Sequence, residues 1–234
     1  TDRDRQGLEP GRTPHTALVE LPPFVAFDRE PPRRAGCTDV PRLVTVAMMR
    51  EGTKENSYRL LARALHHLGN RPWSLTIMGD GRRRPEIEQA FSGLPEGRIA
   101  WHGAVAHDRV VAGLAGHDLF IWPGLREAYG LVYLEAQAVG LPIVAFDSGG
   151  VSATVRDGQT ALLVAEGDEA ALAGALQSLI DDPDRRATMG AAARRFALDE
   201  RTPAAAAAIL ETALATALAN HAARRSAGGR DIAP

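Results

Sequence analysis

The sequence predicts a doubly wound, Rossmann-like α/β domain, with a parallel sheet of about six strands and helices on both faces. Two observations predict it. Leu43–Ala47, Leu75–Met78, Ile99–Trp101, Leu119–Trp122, Ile143–Phe146 and Leu162–Val164 are short runs, apolar throughout, as strands buried on both faces require. Helical periodicity separates them: Leu60, Leu61, Ala64, Leu65 and Leu68 fall on one helix face between the first two runs. Sheets of this kind bind ligands beyond the carboxyl ends of their strands, so the loops there are expected to hold the function.

Residues 1–40 are rich in Pro, Arg and Asp without sustained periodicity. They read as a linker, in which Leu21-Pro22-Pro23-Phe24 is the one patch expected to pack. Residues 41–200 hold the strand–helix alternation. Late in that stretch Leu172, Leu176, Leu179 and Ile180 repeat the helical pattern behind an Asp168 cap. Asp182-Pro183-Asp184 lies between two helical patterns and reads as capping and turn chemistry rather than metal ligation. Thr202-Pro203 starts a C-terminal helix over 201–223, with Thr as cap and Pro in the first position. Leu210, Leu214, Ala217 and Leu218 give that Ala-rich helix one apolar face, and 224–234 read as a disordered tail.

Composition excludes several classes of function. Lys and Arg number 27 against 29 Asp and Glu, a formal charge of −2, where a dedicated nucleic-acid binder is basic. At 5% aromatic residues there is little for bases to stack on. The single Cys37 leaves no internal disulfide and no cysteine-rich zinc site, which fits a reducing cytoplasm. No stretch reads as the ~20 apolar residues that cross a bilayer, and the N-terminus has no signal-peptide core. A chain opening Thr-Asp-Arg-Asp-Arg, without an initiator Met, is expected to be a fragment or to be numbered from a truncation point.

The most informative segment is Glu127-Ala-Tyr-Gly-Leu-Val-Tyr-Leu-Glu135-Ala-Gln-Ala-Val-Gly140-Leu-Pro142. It follows the strand ending at Trp122-Pro123 and opens a helix that Gly140 and Pro142 stop. Gly130 removes a side chain where that helix begins, and the unpaired N–H groups and positive dipole end there suit a phosphate. Glu127 lies in the loop and Glu135 about one and a half turns into the helix. One carboxylate can face ribose hydroxyls while the other faces a group beyond the phosphates. The same spacing also fits an ordinary amphipathic helix with two solvated glutamates. Elsewhere, Gly79-Asp80-Gly81 followed by Arg82, Arg83 and Arg84 lacks the third glycine of a dinucleotide fingerprint, so the basic triplet reads as a solvated helix start. His66, His67, His107, His117 and His221 show no metal-ligand spacing and read as surface or core histidines.

The Glu127–Glu135 stretch resembles the E-x7-E segment of the family 4 (group 1) retaining glycosyltransferases of the GT-B fold. Val46-Ala-Met-Met-Arg50-Glu-Gly-Thr-Lys54 is similar to that family's first strand and basic loop, with an Arg50–Lys54 spacing one residue shorter than in many members. Ile77-Met-Gly79-Asp80-Gly81 and Trp101-His102-Gly103 resemble its second and third strand ends. Ala145-Phe-Asp147-Ser148-Gly149-Gly150-Val151 and Asp157-Gly158-Gln-Thr-Ala-Leu-Leu-Val164 follow in the family's order. The resemblance covers about residues 40–200.

The resemblance implies that this is the C-terminal, nucleotide-sugar-binding half of a GT-B enzyme. Sugar would pass with retention from a nucleoside-diphosphate sugar to an acceptor hydroxyl. Arg50 and Lys54 would hold the diphosphate and stabilise it as leaving group, helped by the backbone at Gly130 and Leu131. Glu135 would bind the ribose, Glu127 would contact the donor sugar, and the His102-Gly103 loop would flank the base, with Gly79 also in the donor site. Glu127, Arg50 and Lys54 are thus the expected catalytic set. Neither a cofactor nor a metal is expected, because fixed cations at the diphosphate do that work. The expected partners are the nucleotide sugar and a preceding acceptor domain absent from this chain, without which the chain is expected to be inactive. Nucleic acid is not an expected partner, and any peripheral membrane contact would be made by that absent domain. Two rivals share these loops: a sugar-nucleotide epimerase of the same fold, and a non-catalytic nucleotide-binding module.

Overall fold

The computed structural model describes residues 2–11, 16–36 and 38–228. Six strands form one parallel sheet: β1 (Arg42–Val46), β2 (Ser74–Met78), β3 (Ile99–Gly103), β4 (Leu119–Ile121), β5 (Ile143–Asp147) and β6 (Ala161–Ala165). Their order across the sheet is β3-β2-β1-β4-β5-β6. The chain winds outward from β1 in one direction and from β4 in the other, so a crevice opens where these two neighbours part. Each expected strand is present, with ends displaced by one or two residues.

Burial explains the order. Leu43 and Val44 of β1, all of β4, and Ile143–Phe146 of β5 are fully buried. The edge strand β3 alternates between half-buried and exposed positions, leaving Ala100 and His102 exposed. The sheet is covered by α2 (Thr53–His66), α3 (Arg84–Phe91), α4 (His107–Leu114), α5 (Leu131–Val139) and α6 (Glu169–Ile180). Helix α2 packs on α3 and α6, and α4 packs on α5, which in turn meets α7 (Pro183–Arg195). The expected caps form: Asp168 accepts from Ala171 N at 2.8 Å, and Asp182 accepts from Arg185 N at 2.8 Å. Asp182-Pro183-Asp184 therefore starts a helix, as its turn chemistry indicated.

The ends of the chain differ from the expectation. Within the linker, Asp2–Leu8 is helical (α1), and residues 16–36 run against the domain. In the expected patch Pro22 and Pro23 are half-buried while Leu21 and Phe24 stay 40% exposed, so it packs only in part. The docking is polar instead. Buried Arg194 donates to the carbonyls of Pro31 and Ala138 and pairs with Glu30, while the N–H groups of Arg34 and Ala35 donate to Val139 and Ala115. Arginine forks and backbone bonds leave no hydrophobic period to read. Cys37 lies outside the described residues.

Helix α8 runs Pro203–Gly228, with Thr202 Oγ1 capping it through Ala205 N at 3.1 Å. Residues 224–228 are therefore helical rather than tail, and 229–234 lie outside the described residues. Pro203–Ala222 is long and apolar enough to cross a membrane by length and composition, contrary to the sequence reading, because alanine raises its mean hydropathy to 1.2. Among the described residues its apolar face stays largely exposed: Leu210, Leu214 and Leu218 are 48%, 63% and 70% exposed.

Candidate functional site: a cleft at the switch point

The loops after β1 and β4 meet where the sheet changes direction. Lys54 stands in the first turn of α2 rather than in the preceding loop, because Gly52 (φ 89°) turns the chain into the helix two residues earlier. On the other side, Trp122-Pro123 leaves β4 and leads to Glu127. Helix α5 then begins behind Gly130, which adopts φ 68°. No side chain caps α5, so the N–H groups of Leu131 and Val132 have no intrahelical acceptor and point outward from its positive end. Lys54, Gly79, Asp80, Glu127, Gly130 and Leu131 line one cleft of 380 Å³. Among the described residues, two hollows of 570 and 940 Å³ lie elsewhere. One surrounds the arginines that dock residues 30–36, and the other runs along α8. Neither gathers the loops at the carboxyl ends of the strands.

Several interactions hold Glu127 in place. Its Oε1 receives the Lys54 ammonium in an ion pair and the Trp122 indole N–H at 3.0 Å. Its backbone carbonyl accepts from Gly150 N at 2.7 Å. The preceding Arg126 has a left-handed φ of 51°, and its N–H donates to Ser148 Oγ at 2.8 Å. Leu125 N donates to Ser57 Oγ, on α2, at 3.1 Å. The loop is thus pinned from α2 on one flank and from the β5 loop on the other. A Cβ at Gly149 would stand 2.2 Å from the Glu127 carbonyl oxygen, so that glycine permits the close approach.

Glu135, on α5, is 7% exposed and makes no hydrogen bond to any described group. It lies outside the cleft lining, and its one ion-pair neighbour among the described residues is His107 Nδ1, at 3.9 Å across the α4–α5 contact. Burial raises the Glu135 carboxyl above its ordinary value, and the His107 charge opposes that shift. A buried carboxylate with spare acceptor capacity suits a ligand that brings hydroxyl donors.

The other expected residues divide. Gly79 lines the cleft, but its lack of a side chain also serves packing: a Cβ there would stand 1.9 Å from the Ala47 carbonyl oxygen. Gly103 accepts from Gly79 N at 2.7 Å, which ties the β3 end to the β2 turn. His102 is exposed at the same carboxyl edge, outside the cleft lining. Arg50 also lies outside it; its side chain is exposed and makes no ion pair among the described residues. Glu55 does not neutralise Arg50 or Lys54, since it is held by Arg83 at 2.7 Å and Arg59 at 2.8 Å. The arginine triplet is accordingly less solvated than expected: Arg83 binds Glu55 and Glu86, and Arg84 binds Asp80 and Glu88. Sequence reasoning missed Trp122, Ser57, Ser148 and His107 as parts of the site.

These features define a doubly wound α/β domain whose switch-point cleft brings together a lysine, a carboxylate and an uncapped helix start. Residues 40–182 match the family model of the glycosyl transferases group 1, and the chain belongs to that family. It is 36% identical over 206 residues to the GDP-mannose-dependent alpha-(1-6)-phosphatidylinositol monomannoside mannosyltransferase of Mycolicibacterium smegmatis, a match covering 80% of this chain and 53% of that protein. Among solved structures, a mutant of TarM from S. aureus, in complex with Fondaparinux, alpha-GlcNAc-glycerol and UDP, is similar with a TM-score of 0.73. That match has 19% identity and covers 93% of this chain and 42% of TarM. Anabaena HepE in complex with UDP-glucose is similar with a TM-score of 0.64 and 23% identity, over 75% of this chain and 49% of HepE. At these identities the structural likenesses establish the shared fold. The chain spans about half the length of the proteins it matches.

Proposed function

We propose that this chain is the donor-binding half of a retaining glycosyltransferase, which moves a sugar from a nucleoside-diphosphate sugar to an acceptor hydroxyl. The observation that carries this reading is the meeting of Lys54, Glu127 and the uncapped start of α5 in one cleft at the β1/β4 switch point. In the departure of a nucleoside diphosphate, negative charge grows on the phosphates as the sugar acquires oxocarbenium character. A lysine and helix N–H groups fixed at the diphosphate stabilise that charge more in the transition state than in the ground state. These groups supply the positive potential without a metal. Lys54 is the principal cation in this reading, and Arg50 reaches the ligand from the rim. Glu135 takes the ribose hydroxyls and Glu127 the donor sugar. The relatives are about twice as long, and the acceptor pocket is assigned to the part of such proteins that this chain does not span.

Calorimetric titration of the chain with GDP, GDP-mannose, UDP and UDP-glucose tests the reading, these being bases and sugars named with its relatives. One matched pair is expected to bind, and Lys54→Ala to weaken its diphosphate by about tenfold or more, the scale of a charged hydrogen bond. No acceptor-dependent release of nucleoside diphosphate is expected from this chain alone. Binding of none of the four would remove the donor site, and robust turnover would remove the division of labour.

A further inference from the structure

Glu127 holds both of its polar side-chain partners on one oxygen. Lys54 and the Trp122 N–H converge on Oε1, and the Lys54 ammonium also stands 5.4 Å from the centre of the Trp122 ring. The side chains of the Lys54–Glu127 pair are each 15% exposed, so water screens their attraction poorly. The two donors differ in freedom. Trp122 is 1% exposed, edge-on to Tyr58 at 4.8 Å, and its carbonyl accepts from the Tyr133 hydroxyl at 3.1 Å. Its N–H is fixed by packing. Lys54 has a flexible four-carbon stem and can redirect its ammonium.

A diphosphate docking at the start of α5 needs the cation that Glu127 already holds. We propose that Glu127 competes with the donor diphosphate for Lys54. Trp122 is the positioning residue that keeps Glu127 in place when the lysine leaves, and the site thereby favours a sugar-bearing donor over the spent nucleoside diphosphate. The inference rests on the reading of this cleft as a donor site. Its physics is an exchange of partners. A nucleotide sugar takes Lys54 with its phosphates and returns hydroxyl donors to the carboxylate. A bare nucleoside diphosphate takes Lys54 and returns only negative charge, leaving Glu127 beside it with the indole N–H alone. Once the sugar has gone, the ammonium is drawn back to Glu127 and the diphosphate loses its cation, which promotes release.

Titration of the 234-residue chain with the matched pair that binds it, as bare diphosphate and as sugar nucleotide, decides the matter. Glu127→Gln removes the competing charge while keeping shape. The variant is expected to bind the bare nucleoside diphosphate about tenfold more tightly and the sugar nucleotide no more tightly, which reverses the preference. Trp122→Phe keeps the ring and deletes the N–H. It should lower the ratio of sugar-nucleotide to diphosphate affinity by about fivefold, and add nothing further when combined with Glu127→Ala. An unchanged or weakened diphosphate affinity in Glu127→Gln would overturn the competition while the donor site stands. The donor site itself fails only if the unaltered chain binds neither ligand. If Trp122→Phe does not fold, the indole N–H resonance of the unaltered protein replaces it. That signal should keep its hydrogen-bonded position through saturation with the diphosphate, and a move to the solvent-exposed position would overturn the positioning role.

Discussion

Replacing Glu135 by Gln should make this protein more stable and a poorer nucleotide binder at once. The carboxylate is 7% exposed, accepts no hydrogen bond from a described group, and has only His107 at 3.9 Å for compensation. A polar group left unsatisfied in the interior costs about 1–3 kcal/mol, and a charged one more. The Gln amide is itself polar and recovers only part of that, so a gain of about 1 kcal/mol is expected. For a chain of this length that is about 2–4 °C in Tm. The sign with pH follows from the raised carboxyl. The folded state holds this proton more tightly than the unfolded chain, so the group's stabilising contribution is present at low pH and lost as pH rises through the folded value. The variant abolishes that loss, and its advantage should grow toward neutral pH. Binding moves the other way: without the charged acceptor, affinity for a nucleoside diphosphate should fall by about 1.5–3 kcal/mol. The affinity of the unaltered protein should itself decline as Glu135 takes up its proton, at a higher pH than for an ordinary glutamate. Thermal melts and calorimetry across pH measure both. A less stable variant, or one with undiminished affinity, would refute the assignment of Glu135 as a binding group held at a cost to the fold.

Two other perturbations probe the frame around the cleft. Hydrogen bonds from Arg83, and next from Arg59, hold the Glu55 carboxyl down at about 2 against an ordinary 4.5. Its contribution to stability is therefore fully present above about pH 4.5 and lost as pH falls toward 2. Denaturation curves of Glu55→Gln and the unaltered protein should differ at neutral pH and converge at the acid end; a constant difference would remove this ion network from the account. Gly149→Ala should destabilise the protein by about 2–3 kcal/mol, from left-handed strain at φ 62° and the overlap with the Glu127 carbonyl. It should also weaken the sugar nucleotide more than the bare diphosphate, and equal weakening would mean that Gly149 does not set the position of Glu127.

The strands were legible because burial on both faces erases alternation. Leu43 and Val44, and likewise Leu119 and Phe120, are apolar neighbours in sequence since each has a covered face to fill. The strand ends were less legible, because Ala47 and Trp122 are apolar for reasons outside the sheet: one packs against the core just past β1, and the other supports Glu127. Lys54, Glu127, Gly130 and Leu131 could be placed together from order and chemistry, as parallel strands end on one edge. What could not be read is contact between distant segments. Ser57 and Leu125 are 68 residues apart, and Ser148 and Arg126 are 22 apart. Such hydroxyl-to-backbone bonds have no period and no special residue type to announce them. The pairing of His107 with Glu135 depends likewise on α4 packing against α5. At the chain's end, the Leu210, Leu214 and Leu218 stripe was legible as an apolar face but not as an exposed one, since periodicity reports a face and never what covers it.

Glu127, which lines the cleft, and Glu135, which lies outside its lining on the same helix–loop segment, show how one fold gives the same side chain opposite conditions. Glu127 is well partnered in the absence of ligand, with a cation and an indole N–H on one oxygen. Glu135, one helix turn and a half further on, has burial that only a distant His107 offsets. In the proposed donor site, a ligand takes a partner from the first and supplies partners to the second. Hydroxyl donors satisfy Glu135 at no loss to the protein's existing contacts, so nucleoside recognition should be the favourable first step. Diphosphate binding costs the Lys54–Glu127 pair and is repaid only when a sugar is present to replace it. Affinity is then concentrated at the nucleoside end and selectivity at the sugar end, an arrangement that follows from which carboxylate is satisfied before any ligand arrives.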